Sequence, residues 1–167
     1  MTINILVLCT GNSARSILGE MLFNHLGQGR VKAYSAGSQP AGQVNPFALE
    51  TLQKHGIPCD GARSKSWDEF AKNAVPTAPS FNYIFTVCSN AAKETCPVWP
   101  GHPATSHWGI DDPAHVEPIE ARRAAFETAY QELKRRVEAF LALPLEGMSP
   151  EEAAFAARHI HVRHSKA

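Results

Sequence analysis

The 167-residue chain balances 16 basic against 16 acidic residues for a formal net charge of zero, with 44% hydrophobic and 19% charged residues. That length suffices for one domain with a real core, and the composition excludes a disordered chain. Zero net charge argues against nucleic acid and anionic membranes as partners, and no apolar run approaches the roughly 20 residues that span a bilayer.

In chain order, Ile3-Asn4-Ile5-Leu6-Val7-Leu8 reads as a buried strand, short and nearly all apolar. A helix is expected over residues 16–26, before Gly27 and Gly29. Residues 31–36 form a second expected strand, closed by Gly37 and Pro40. Asn45-Pro46 opens a helix that stops at Gly56 and Pro58, and a short helix is expected near residues 67–71. Residues 73–80, rich in Pro and Ala, read as a surface loop. A third strand is expected over 83–87, ending at Cys88, and a short fourth over 105–108. Residues 117–142 carry one long amphipathic helix, ended by Pro144. Ser149-Pro150-Glu151-Glu152 has the pattern of a capped helix start, inside a C-terminal helix or tail at about residues 145–167. Strands alternating with helices predict an α/β fold with a parallel sheet, as a single domain over residues 1–167. The N-terminus has no secretory-signal pattern, so a cytoplasmic location is expected.

The segment Cys9-Thr10-Gly11-Asn12-Ser13-Ala14-Arg15-Ser16 lies between the first strand and the first helix, at the carboxyl end of the sheet, where open parallel sheets bind ligands. Such a loop can wrap backbone N–H groups around a tetrahedral oxyanion, aim a thiolate at its centre and clamp its oxygens with a guanidinium. Gly11 permits the tight turn, Asn12 tolerates unusual backbone angles, and Ser16 is placed to donate to the thiolate. A free thiol titrates near 8.5, and the helix N-terminus and Arg15 are expected to lower Cys9 well below that. Neither dinucleotide-binding nor P-loop glycine patterns are present.

These residues resemble the phosphate-binding loop of the low-molecular-weight protein tyrosine phosphatase family, whose fold also includes thiol-dependent arsenate reductases. The resemblance implies a four-stranded parallel sheet flanked by helices on both faces. It implies Cys9 as nucleophile, Thr10, Gly11, Asn12, Ser13, Ala14 and Arg15 as oxyanion cradle, and Ser16 as support for the thiolate. It also implies that Asp112, in Asp111-Asp112-Pro113, is the general acid that protonates the leaving oxygen.

Two features point within that family to the arsenate reductase branch. Cys88-Ser89-Asn90-Ala91-Ala92-Lys93-Glu94-Thr95-Cys96-Pro97 resembles the redox segment of thioredoxin-linked arsenate reductases. Carried over, Cys9 forms a thiol-arsenate adduct, Cys88 attacks Cys9 as arsenite leaves, and Cys96 relays the disulfide outward. Pro113 is followed by Ala114-His115 rather than by the aromatic residues that line a phosphotyrosine slot. The expected substrate is therefore arsenate, with phosphate as competitor, and the expected reductant is thioredoxin or glutaredoxin with glutathione. Hydrolysis of phosphotyrosine or another phosphomonoester through a phosphocysteine is the alternative. No bound cofactor and no metal are expected. Cys59 reads as structural, and His159, His161 and His164 as part of a solvated tail rather than a metal site.

Overall fold

The computed structural model describes residues 3–70, 80–88 and 103–163. Strand β1 (Ile3–Leu8) is central because its residues Ile5 to Leu8 are buried on alternating sides, as a strand covered on both faces requires. It pairs in parallel with β2 (Val31–Ala36) and β3 (Tyr83–Thr86), and β3 pairs with β4 (Ala104–His107). The sheet order is β2-β1-β3-β4. Helices α1 (Arg15–Gly27), α2 (Pro46–Lys54), α3 (Ile119–Leu141) and α4 (Pro150–Arg163) join a 3₁₀ turn at Trp67–Phe70. This is the expected α/β fold with a four-stranded parallel sheet. Helix α3 begins two residues later than its periodicity suggests, because the extended backbone of Pro118 precedes the first turn. Of the expected loop at 73–80, residues 73–79 lie outside the described residues.

One sheet face is sealed by rings from three elements. Phe85 of β3 lies 4.1 Å from Trp108, 5.5 Å from Phe23 of α1 and 5.1 Å from Phe140 of α3, centroid to centroid. On the opposite face Tyr34 of β2 meets Phe70 of the 3₁₀ turn at 5.5 Å, and Phe70 meets Phe81 at 5.8 Å. Helix α4 starts in a reciprocal capping box, with Ser149 N–H donating to Glu152 Oε1 (2.9 Å) and Glu152 N–H to Ser149 Oγ (3.1 Å). It packs on β4, where Ser106 Oγ donates to the Ala154 carbonyl and Trp108 Nε1 to that of Ala157. Among the described residues no helix is long and apolar enough to cross a membrane.

The topology fixes where chemistry can occur. Parallel strands end on one side, so the residues after β1, β3 and β4 converge there: the loop from Cys9, then Cys88, then the segment from Trp108 to His115. The aromatic seal holds those strand ends in register. Replacing Phe85 by Ala should cost about 3–5 kcal/mol of stability in equilibrium urea unfolding, the usual penalty for emptying a packed aromatic site.

Candidate active site

The loop after β1 is shaped by where its carbonyls go. Thr10 C=O accepts from Gln39 N–H (3.0 Å), Gly11 C=O from Ala41 N–H (2.9 Å) and Ser64 Oγ (3.2 Å), and Ser13 C=O from Asn45 N–H (2.8 Å). Each trans peptide is planar, so the Thr10 carbonyl tied outward turns Gly11 N–H toward the inside, while Asn12 N–H closes a turn onto the Cys9 carbonyl (3.2 Å). Gly11 N–H accordingly bonds the Cys9 sulfur. The segment that supplies these donors leaves β2 at Gly37, which lies against the loop backbone. A Cβ there would sit 2.3 Å from the Thr10 oxygen and 2.4 Å from that of Cys9.

Asn12 is the hub of the loop. It is fully buried and left-handed, with φ of 44°, a conformation that asparagine tolerates better than other side chains. Its Nδ2 donates to Ser16 Oγ (2.8 Å) and its Oδ1 accepts from Lys65 N–H (2.9 Å). Lys65 belongs to a buried cluster behind the loop. Its Nζ donates to Ser35 Oγ (3.3 Å) and to the Arg63 carbonyl (3.0 Å), and lies 3.5 Å from Glu20 Oε1, to which the Ser35 hydroxyl also donates. Burial pushes the Glu20 carboxyl up and the Lys65 ammonium down, and each charge partly offsets the other's penalty.

In front of the loop is a cleft of about 530 Å³, lined by residues 9–15 together with Cys88, Ile110, Asp111, Asp112, Ala114 and His115. Arg15 opens α1, and its Nη1 donates to the Ile110 carbonyl (3.0 Å) while Nη2 lies 3.7 Å from Asp112 Oδ2. Asp112 is held in turn by Ala114 N–H on its Oδ1 (2.9 Å), and its side chain is 43% exposed at the cleft mouth. The arrangement joins a nucleophile, a guanidinium and a carboxyl group around one space.

Cys9 and Cys88 are both buried and hydrogen-bonded to each other, and Thr10 N–H approaches the Cys88 sulfur at 3.4 Å. The contact with Cys88 and burial push the Cys9 thiol well above its ordinary value, against the lowering pull of Arg15 and of Gly11 N–H. This corrects the expectation of a strongly acidified Cys9. Arg15 and the loop act in the direction expected, but a second sulfur at contact distance outweighs them. Two neighbouring thiols in a buried site lose their protons in separate steps that belong to the pair.

Of the other residues singled out in the sequence, Ser16 is fully buried and bonded to Asn12, so it braces the loop rather than lining the cleft. Cys96 lies outside the described residues, as does His164. Cys59 is half-buried, donates to the Ile57 carbonyl and is pushed up by burial and Asp60, the state of an inert thiol. His159 and His161 sit on α4 rather than in a solvated tail, because Ala153, Ala157 and Ile160 bury that helix's inner face. Gly37, Ser35, Glu20 and Lys65 were not identified from the sequence. Gly37 directly after a strand was their one visible signal.

Residues 4–150 match the family model described as low molecular weight phosphotyrosine protein phosphatase. The chain is 35% identical over 139 residues to the arsenate reductase of Bacillus licheniformis, covering 81% of this chain and 93% of that protein. It shares its fold with a solved arsenate reductase in the phosphate-binding state (TM-score 0.67, 23% identity, 84% of this chain and 97% of that one). The same holds for the tyrosine phosphatase Wzb of Escherichia coli K30 in complex with sulphate (TM-score 0.65, 22% identity, 84% and 97%). The chain belongs to the low molecular weight phosphotyrosine protein phosphatase family.

Two outcomes follow from this geometry. Gly37→Ala should displace the loop backbone and weaken inorganic phosphate binding about tenfold or more in calorimetric titration, with the chain still folded. Cys88→Ala removes the foremost cause of the raised thiol, so the pH midpoint for alkylation of Cys9 should move down relative to wild type. An unchanged or higher midpoint would contradict the account of the pair.

Proposed function

We propose that this protein is an arsenate reductase of the thiol-dependent kind. The observation that carries this reading is Cys88, which shares the cleft with Cys9 and is hydrogen-bonded to it. Phosphate-ester hydrolysis needs a nucleophile, a cradle and an acid, but a second buried thiol against the nucleophile is what a two-electron reduction requires.

In this reading arsenate enters the cradle of residues 10–15, with phosphate as a competing oxyanion of the same shape. Arg15 turns from Asp112 to the oxyanion, which releases the Asp112 carboxyl to face the leaving oxygen. Cys9 passes its proton to an arsenate oxygen and its sulfur attacks arsenic, and the departing hydroxide takes the Asp112 proton and leaves as water. Cys88, its proton lost to solvent, then attacks the Cys9 sulfur. The sulfur–arsenic bond breaks with its electron pair on arsenic, so As(V) leaves as arsenite and two thiols become a disulfide. Cys96 attacks Cys88, frees Cys9 and carries the disulfide to a thiol reductant, thioredoxin or glutaredoxin with glutathione. The electrons come from that external thiol, and the chain itself supplies no bound cofactor.

The test is arsenate-dependent turnover with a thioredoxin system, and separately with glutaredoxin and glutathione, for wild type and Cys88→Ser. Wild type should reduce arsenate and Cys88→Ser should lose essentially all of it, while Cys96→Ser selectively loses coupling to thioredoxin. A wild type that hydrolyses aryl phosphates but leaves arsenate unreduced would establish the phosphatase alternative instead.

A further inference from the structure

The family match ends at residue 150, where α4 begins, and the solved arsenate reductase that matches across 97% of its own length accounts for only 84% of this chain. Helix α4 is therefore an addition to the shared core. It lies along β4, with Ser106 Oγ on the Ala154 carbonyl and Arg158 Nη2 on the Thr105 carbonyl, and reaches the strand end that leads to Asp112. Trp108 Nε1 donates to the Ala157 carbonyl (2.8 Å), and His161 hydrogen-bonds the Gly109 carbonyl.

The same stretch of backbone is gripped from beneath. Arg136 of α3, 1% exposed, donates from Nη1 to the Trp108 carbonyl (2.9 Å) and the Gly109 carbonyl (3.2 Å). Its charge is only loosely matched by Glu132 at 3.6 Å, and its buried Nε has no partner among the described residues. A guanidinium is costly to bury, and this one is directed at two strand-end carbonyls. Next along the chain, Ile110 C=O accepts from Arg15 and Ile110 N–H donates to the Val87 carbonyl (3.1 Å). The backbone of residues 108–110 is thus tied at successive peptides, and Asp112 follows two residues later. Burial and the Arg136 charge push the His161 imidazolium down, so the ring acts as a neutral N–H donor.

We infer that His161, carried on a helix added outside the shared core, is a positioning residue that with Arg136 sets where Asp112 stands over the oxyanion cradle. This rests on the reading of Asp112 as the general acid given above. His161 is not among the residues that line the cleft. Its loss should therefore impair proton delivery to the leaving oxygen without impairing oxyanion binding. Displacing a catalytic group by about an ångström from a remote site can cost up to ~100-fold in rate.

The experiment compares kcat/KM for arsenate, and the inhibition constant for inorganic phosphate, across single and double variants of the full chain. Asp112→Asn should lose about 100-fold, the usual contribution of a general acid. His161→Ala should lose roughly 10-fold or more, with phosphate inhibition unchanged. His161→Gln, which restores an N–H donor, should recover most of the loss. The double variant H161A/D112N should be no slower than D112N alone, since both remove one function. Phe155→Ala, on the exposed side of the same helix, should match wild type. Should His161→Ala fail to fold, His161→Asn, with a shorter reach, takes its place. The inference is overturned if H161A matches wild type while D112N does not, if the two losses multiply in the double variant, or if phosphate affinity falls in parallel. A D112N variant at wild-type rate would remove Asp112 from the reaction, and the positioning role with it, leaving the roles of Cys9 and Cys88 standing.

Discussion

Everything at this site depends on the outward tethering of the loop carbonyls that follow Cys9. Three of them accept hydrogen bonds from Gln39, Ala41, Ser64 and Asn45 on the segments beyond β2 and beyond α2. Each bond contributes only about 1 kcal/mol net, and each ties a partly buried carbonyl to a different neighbour. The set is therefore strongly self-reinforcing. It also holds Asn12 in a left-handed conformation that costs of order 1 kcal/mol and that two side-chain hydrogen bonds offset. The result is a loop whose backbone is pinned before any ligand arrives, with Gly11 N–H on the Cys9 sulfur and Thr10 N–H on that of Cys88, which is the preorganisation an oxyanion site needs.

Two competing influences are set within that loop. Arg15 and Gly11 N–H favour a thiolate at Cys9, whereas Cys88 and burial favour the thiol. Arg15 is itself divided between Asp112, the Ile110 carbonyl and the open cleft. An oxyanion settles the second contest by drawing the guanidinium inward and releasing the Asp112 carboxyl at the cleft mouth. Coupling of cation and acid to ligand arrival is thus a property of the geometry. Behind it the buried Glu20–Lys65 pair bears on the chemistry through Asn12, by way of the Lys65 backbone N–H.

What could be read from the sequence was what is local in it. The strand, loop and helix around Cys9 follow from a short apolar run, a glycine and a helical period. The start of α4 follows from Ser149 and Glu152, whose capping bonds span three residues. Interactions between distant residues were hidden. Lys65 reaches Asn12 across 53 positions, and the tight approach of Gly37 to the loop depends on the β1–β2 register. The raised Cys9 thiol depends on β3 ending beside β1, which brings Cys88 into contact. His161 looked like part of a solvated tail because nothing in its own stretch shows that Gly109, at the end of β4, is its partner. Ser16 Oγ accepts from Asn12 Nδ2, a contact four positions away that leaves its hydroxyl hydrogen to donate.

The central claim is that Cys9 and Cys88 together deliver two electrons to one bound oxyanion. It is tested most directly by a single turnover of the fully reduced Cys96→Ser variant with arsenate and no external reductant, followed by arsenite quantitation and disulfide mapping by mass spectrometry. The account predicts one arsenite per chain and a Cys9–Cys88 disulfide formed in equal amount. Arsenate recovered unchanged, or arsenite released with Cys88 still a free thiol, would contradict it.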